Sequence, residues 1–327
     1  MSVARVKSIN HICEHDSVMV EEVLIGLNLS VDERVKNDGI YVDLTFGRGG
    51  HSRAILDFAS SNARVFALDK DPAAKKTAEV LEQQDPRFKF KAETFSKVDE
   101  FCQSFGILGK VNGVLMDVGV SSPQLDEGDR GFSFKTKGPL DMRMDPTKGL
   151  SAADWINTVE VSEIERVLKE YGEERFYKRI AQAIVLAREQ TPITTTEQFA
   201  EIVSKANPAW EKHKHPATRT FQAIRIFINN ELQELSLCLD KIISVLAPKG
   251  RLVVISFHSL EDRIVKQFIQ RETSDKHPKG LPILAKDMKP LLRKIGRKQK
   301  PSPEEILRNR RARSAVLRVA EKMEEGE

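Results

Sequence analysis

Glycines and acids recur along this chain at the spacing that a nucleotide-type ligand requires. Gly47, Gly49 and Gly50 follow the apolar run 40–46, and glycine at such a turn lets backbone approach a ligand where a side chain would block it. The spacing, Gly47-x-Gly49-Gly50, is not the G-x-G-x-x-G of dinucleotide binders. About twenty positions further on, the run Arg64–Asp69 ends on a carboxylate able to accept hydrogen bonds from both hydroxyls of a ribose. The runs 111–117 and 251–258 also finish on polar groups, Asp117 in one case and Ser256 and His258 in the other. Each acid alone has a bland reading as a helix cap or a solvated turn residue; it is their joint placement that points to a site.

Elements must bring these residues together. The runs 40–46, 64–69, 111–117 and 251–258 are short, apolar and rich in β-branched residues, as buried strands are, and helix-like segments separate them. Alternating strands and helices predict an open, mostly parallel sheet, whose ligand crevice lies outside the carboxyl ends of the strands. Between roughly 125 and 216 the strand pattern stops, and helical periodicity takes over in 151–156, 161–168, 173–189 and 196–206. This block reads as a helical insert, and helical patterning resumes over 219–245 before Pro248-Lys249-Gly250 turns into the last strand. The expected organisation is 1–124 and 217–327 as two parts of one α/β domain, with 125–216 as an inserted helical cap.

A length of 327 residues suits one large α/β domain with an insertion, or two domains, and 40% hydrophobic with 31% charged residues is ordinary for a soluble protein. No apolar run reaches membrane-spanning length, and 1–7 lacks the apolar core of a signal peptide, so cytoplasm is the expected compartment and no membrane partner is expected. Cys13, Cys102 and Cys238 are too scattered for a disulfide framework or a zinc spacing. His11, Cys13 and His15 alternate as ligands on one face would, but no fourth ligand accompanies them and no metal is expected.

A net charge of +4 conceals a local excess: from 286 to 318 there are twelve Lys/Arg against three Asp/Glu. Clustered cations interleaved with Gly296, Pro301 and Pro303 can neutralise the phosphates of a nucleic acid, and Arg297, Lys298, Lys300, Arg310 and Arg311 are the expected contacts. The alternative is a solvated basic stretch whose last part, 314–319, completes the sheet as an edge strand.

Three stretches, Thr45–Ser52, Asp117–Asp126 and Ile255–Arg263, form a recognisable set with Arg130–Phe134, Gly138–Asp145, Tyr171–Arg175 and His215–Ala223. Together they cover nearly the whole chain, which resembles the bacterial small-subunit (16S) ribosomal RNA cytosine-N4 methyltransferases of the MraW (RsmH) family. The resemblance implies a Rossmann-like methyltransferase domain with an inserted all-helical cap, S-adenosyl-L-methionine as donor, and N4-methylation of a cytidine in the decoding centre. It further implies that Gly49, Gly50 and His51 border the donor, that Asp69 holds its ribose, that Phe95 packs near the adenine, and that Asp117 and Gln124 complete the pocket. The residue-level reading agrees for the glycines and Asp69, but does not pick out Phe95 or Gln124. The small ribosomal subunit is the implied partner, and a homodimer is compatible with the resemblance.

The exocyclic amine of cytosine is a poor nucleophile, because its lone pair is delocalised into the ring, so acceptors must take hydrogen bonds from N4 as it attacks. Many amino-methyltransferases place an Asp/Asn/Ser-Pro-Pro-aromatic motif there; Ser121-Ser122-Pro123-Gln124 has one proline and no aromatic. Asp141 and His258 are the candidate catalytic groups for substrate contact or proton acceptance, and either has a structural alternative. Two rivals stand beside this reading. One is a dehydrogenase, against which the glycine spacing argues; the other is an RNA-binding ribosome-assembly factor that keeps the methyltransferase fold as scaffold.

Overall fold

Alternation within the apolar runs decides the architecture. Val65, Phe66, Ala67 and Leu68 are all buried, yet Val65 and Ala67 enter one core while Phe66 and Leu68 enter another. Successive side chains of a strand point to opposite faces, so this run belongs in a sheet covered by helices on both sides. The computed structural model describes residues 17–29, 37–210, 215–274 and 290–324. Its sheet contains β1 (Ile40–Asp43), β2 (Arg64–Asp69), β3 (Phe88–Ala92), β4 (Val111–Asp117), β5 (Leu246–Ser256), β6 (Leu292–Gln299) and β7 (Val316–Lys322), in the order β3-β2-β1-β4-β5-β7-β6. The first five are parallel; β7 runs antiparallel to β5, and β6 antiparallel to β7.

The helices are α1 (Val20–Gly26), α2 (Gly50–Phe58), α3 (Pro72–Gln84), α4 (Val98–Ser104), α5 (Ser122–Asp126), α6 (Ala152–Thr158), α7 (Val161–Glu170), α8 (Tyr177–Gln190), α9 (Thr196–Ala206), α10 (Thr218–Asn229), α11 (Glu231–Val245), α12 (Ser259–Thr273) and α13 (Pro303–Arg308). One sheet face, with Tyr41, Val65, Leu115 and Val253, receives α1 to α3; the other, with Val42, Phe66, Met116 and Val254, receives α4, α11 and α12. Cys102 and Cys238 are buried, free thiols in the second of these cores.

The chain divides into two compact units, Met1–Gly119 with Leu232–Glu327, and Val120–Glu231. The second is all-helical apart from an isolated bridge between Pro139 and Thr195, with its own core around Trp155, Ile164, Phe199 and Phe221. Its helices start where the sequence supplies caps: Ser151 accepts from the Asp154 N–H, and Thr195 from the Gln198 N–H, each in a capping box. In α7, Ile164, Val167 and Leu168 recur at three- and four-residue spacing and are all buried. The expected boundary at 216 stops short of this unit's end, because α10 turns Phe221, Ala223 and Ile224 into the helical core. The expected helical stretch 219–245 is two helices, divided at Asn230, whose φ of 51° ends α10 in the left-handed conformation that asparagine tolerates.

Two further expectations need correction. β3, Phe-Lys-Phe-Lys-Ala, went unread as a strand; it lies at the sheet edge with Lys89 and Lys91 exposed, so its alternation carries little apolar signal. The stretch 314–319 does not form an edge strand, since β7 is interior and β6 is the edge. β6 arises within the basic segment itself. Buried Glu321 of β7 holds it there, accepting from Arg251 of β5 at 2.9 Å and from Arg293 of β6. Among the described residues no helix is long and apolar enough to cross a membrane.

Candidate active site

Because β1, β2 and β4 are parallel, their terminal acids Asp43, Asp69 and Asp117 share one edge of the first unit. Asp43 was not among the expected site residues, although it ends β1 as the other two end β2 and β4. It works inside the protein: it is fully buried, accepting from the Thr45 N–H at 3.1 Å and the Ser52 hydroxyl at 2.7 Å. Burial pushes its carboxyl up, against the His51 charge and these hydrogen bonds. Thr45 continues the network, its hydroxyl accepting from the Asp117 N–H at 2.7 Å, so the turn after β1 is tied to the end of β4.

The glycine turn sits over Asp69. The Asp69 carboxylate accepts from the N–H of Gly47 at 2.8 Å through one oxygen and from the N–H of Asp71 at 2.8 Å through the other. Burial pushes this carboxyl up to about 6 despite those two hydrogen bonds. A carboxylate offers about four lone-pair sites, so two amides leave capacity for a diol. The glycines are required first by the protein's own packing. Gly49 has φ +79°, and a Cβ there would lie 2.7 Å from the Phe46 ring; a Cβ on Gly50 would lie 1.9 Å from Ser17 Oγ.

His51, on the first turn of α2, is buried and its Nε2 lies 2.9 Å from the Val18 carbonyl oxygen. A carbonyl only accepts, so Nε2 carries the proton and Nδ1 faces Asp117 Oδ2 at 3.8 Å. The other oxygen, Asp117 Oδ1, is buried with no hydrogen-bond partner among the described residues. Burial pushes the Asp117 carboxyl up to about 6; the His51 charge opposes this, while Asp43 and Glu261 add to it. A buried, unmatched acceptor beside a second acid with lone pairs to spare fits a ligand with several donors and positive charge, as S-adenosylmethionine is.

Phe95 opens a 3-10 turn, Phe95–Lys97, after β3, and is half-buried against the second core of the sheet unit. Gln124 lies in the helical unit, buried, and its side-chain oxygen accepts from the Ser121 N–H at 2.9 Å in the capping box of α5. Asp141, also in the helical unit, is gripped by Arg143, with 2.9 and 2.7 Å hydrogen bonds to its two oxygens. His258 caps α12: its Nδ1 accepts from the Glu261 N–H at 3.4 Å, and its Nε2 lies 3.0 Å from Glu261 Oε1. Both candidate catalytic groups therefore carry structural contacts. Glu261, fully buried and accepting from the Phe257 N–H at 2.8 Å, is a neighbour that sequence reasoning missed; its place three residues after a capping His is the available signal.

Of the expected RNA contacts, Arg297 and Lys298 lie on β6, Lys300 just beyond it, and Arg310 and Arg311 in the 3-10 turn Arg310–Ser314. Lys286 and Lys289 of the basic segment, and the alternating His11, Cys13 and His15, lie outside the described residues.

Five parallel strands extended by an antiparallel β7, with acids closing β1, β2 and β4 and a glycine turn after β1, define a Rossmann-like methyltransferase. Residues 12–323 match the family described as the MraW methylase family. The chain is 52% identical over 311 residues to "Ribosomal RNA small subunit methyltransferase H" of Legionella pneumophila, covering 95% of this chain and 99% of that protein. It is 54% identical over 309 residues to the protein of the same name from Coxiella burnetii, covering 94% and 99% respectively. The chain belongs to the MraW methylase family, and its cofactor is S-adenosylmethionine.

Proposed function

We propose that this chain methylates N4 of a cytidine in the decoding centre of small-subunit (16S) ribosomal RNA. The observation that carries this reading is the near full-length identity, 52 to 54%, to relatives named as small-subunit ribosomal RNA methyltransferases. The acids of the strand edge support it in chemical terms. Asp69 serves the ribose of the donor, the backbone of Gly49 and Gly50 and the ring of His51 border it, Phe95 packs near its adenine, and Asp117 with Gln124 completes the pocket. When bound, S-adenosylmethionine supplies an electrophilic methyl group.

The remaining demand falls on the amine, which gains nucleophilicity as acceptors draw on its N–H bonds and as it is held in line. Asp141 and His258 are the proposed groups for substrate contact or proton acceptance. Arg143 and Glu261 fix their orientation, so their part is to place the cytidine. The helical unit 120–231 serves as substrate-recognition unit, with Lys178 and Arg179 of α8 described and Lys212 and Lys214 outside the described residues. Arg297, Lys298, Lys300, Arg310 and Arg311 contact RNA phosphates, and the reaction takes place in the cytoplasm.

Mass-spectrometric mapping of modified cytidines in small-subunit RNA, from cells with and without this protein, tests the proposal. One decoding-centre N4-methylcytidine should vanish without it. An unchanged modification map would overturn the reading.

A further inference from the structure

The sheet unit contains a second concave surface that shares no residue with the acids and glycines described above. It runs between α12 and the β6–β7 edge, holds about 340 Å³, and is lined by Lys266, Ile269, Gln270, Thr273, Lys294, Ile295, Gly296, Arg297, Lys298, Arg318 and Val319. Ile269 and Val319 are buried and Ile295 is half-buried, which gives the groove an apolar floor; Lys266, Lys294, Arg297 and Lys298 are exposed around it. Its volume falls within the usual range of ligand pockets, roughly 300 to 1,000 Å³.

Charge decides what such a groove receives. Its lining includes five cations and no carboxylate. The nearby acid, Asp262, is already engaged by Arg318, which donates to its two oxygens at 2.7 and 3.0 Å. Those hydrogen bonds hold the Asp262 carboxyl low against burial, and the charges of Arg318, Lys298 and Lys266 add to the effect. Several cations thus surround one carboxylate, and among the described residues Lys266, Lys294, Arg297 and Lys298 form no ion pair. The floor is aliphatic and the lining holds no aromatic residue, so the groove offers no stacking platform for bases.

We propose that this groove is a backbone-binding site for the substrate RNA, in which consecutive phosphates lie along Lys266, Lys294, Arg297 and Lys298 and a ribose rests on Ile269, Ile295 and Val319. This rests on the rRNA-methyltransferase reading and extends it to α12, whose exposed face had no assigned role. Gly296, at a φ of +65° with nothing within 4 Å of a Cβ there, lies within the register shift between Ile295 and Gln299. The ladder is interrupted at the groove's rim, as it is at a bulge in an edge strand.

The double variant Lys266→Gln/Lys294→Gln, in the full chain, tests the site apart from the five cations assigned earlier. A labelled single-stranded oligoribonucleotide and isolated small ribosomal subunits are the probes, and affinity is measured across a salt series. Removing two phosphate contacts should weaken binding several-fold and reduce the slope of log K against log salt by about 1.4. Ultraviolet crosslinks from the bound oligonucleotide should fall in 266–273 and 294–298. S-adenosylmethionine affinity, measured by calorimetry, should not change. An unaltered slope with crosslinks elsewhere overturns the groove while leaving the methyltransferase reading intact. Failure of the unsubstituted protein to bind either RNA probe overturns both. Lower solubility with unchanged RNA affinity overturns the groove and assigns these lysines to protection of the β6 edge. Tighter binding of a poly-glutamate peptide than of the oligonucleotide also overturns it, in favour of an acidic protein partner.

Discussion

His51 and Asp117 face each other at 3.8 Å across the end of β4, with the histidine's far nitrogen committed to Val18 and the acid's far oxygen unmatched. Burial leaves the strand edge a carboxylate that is costly to keep charged, and the His51 charge only partly offsets this. It therefore sets a pH dependence.

Asp117 is raised from 3.8 to about 6 by burial first. A raised folded-state pKa contributes stability that is fully present below about pH 3.8 and lost as pH rises through about 6. Asp117→Asn removes the titration, so the variant should gain on the unsubstituted protein as pH rises from 4.5 to 7.5, by at most about 2 kcal/mol. Thermal unfolding of both proteins at the two pH values measures this, and a pH-independent difference counts against it.

Asp69→Ala should weaken S-adenosylmethionine binding by roughly tenfold or more, since each lost hydrogen bond to a charged group is worth roughly 1.5 to 3 kcal/mol. The same change strands the Gly47 and Asp71 amides that the carboxylate now receives, so the melting temperature should also fall. Unchanged calorimetric affinity in a folded variant would remove Asp69 from the donor site.

Gly50→Ala should destabilise by about 1 to 3 kcal/mol, the usual cost of overpacking, because its Cβ would meet Ser17 Oγ at 1.9 Å. Pairing it with Ser17→Ala leaves a 3.2 Å contact to Ser17 Cβ and should recover most of the loss. Chemical denaturation of both variants decides, and absence of rescue would place the strain elsewhere.

Replacing Arg297, Lys298, Lys300, Arg310 and Arg311 with Gln should lower RNA affinity and flatten its salt slope by up to about 3.5, at about 0.7 per phosphate contact. Donor affinity should stay constant. A salt slope equal to that of the unsubstituted chain would make these residues a solvated surface.

Parts of this were legible in sequence because they depend on local pattern. The strand, glycine turn and distant acid of 40–69 lie within one β-α-β stretch, and the face each strand residue takes follows from alternation. What was hidden depends on partners remote in the chain. The orientation of His51 is fixed by Val18, 33 positions away, and the bare oxygen of Asp117 shows only once the remote elements around it are in place. Phe95, an isolated aromatic in a polar stretch, is singled out only by family resemblance. β6 was hidden by its own charge, because Leu292-Arg293-Lys294-Ile295-Gly296-Arg297-Lys298 has the composition of a solvated arm and becomes a strand only beside β7.

The position of β7 also bears on how the chain is made. Leu252 to Ser256 pair with residues 316–320, which leave the ribosome some sixty positions later. Until they emerge, β5 presents an uncovered row of amides and carbonyls, the kind of edge that recruits other nascent chains. Sheet completion is therefore a late event in synthesis, and a stop codon before Val316 would yield a sticky, incomplete product even though every acid and glycine of the strand edge had already been translated.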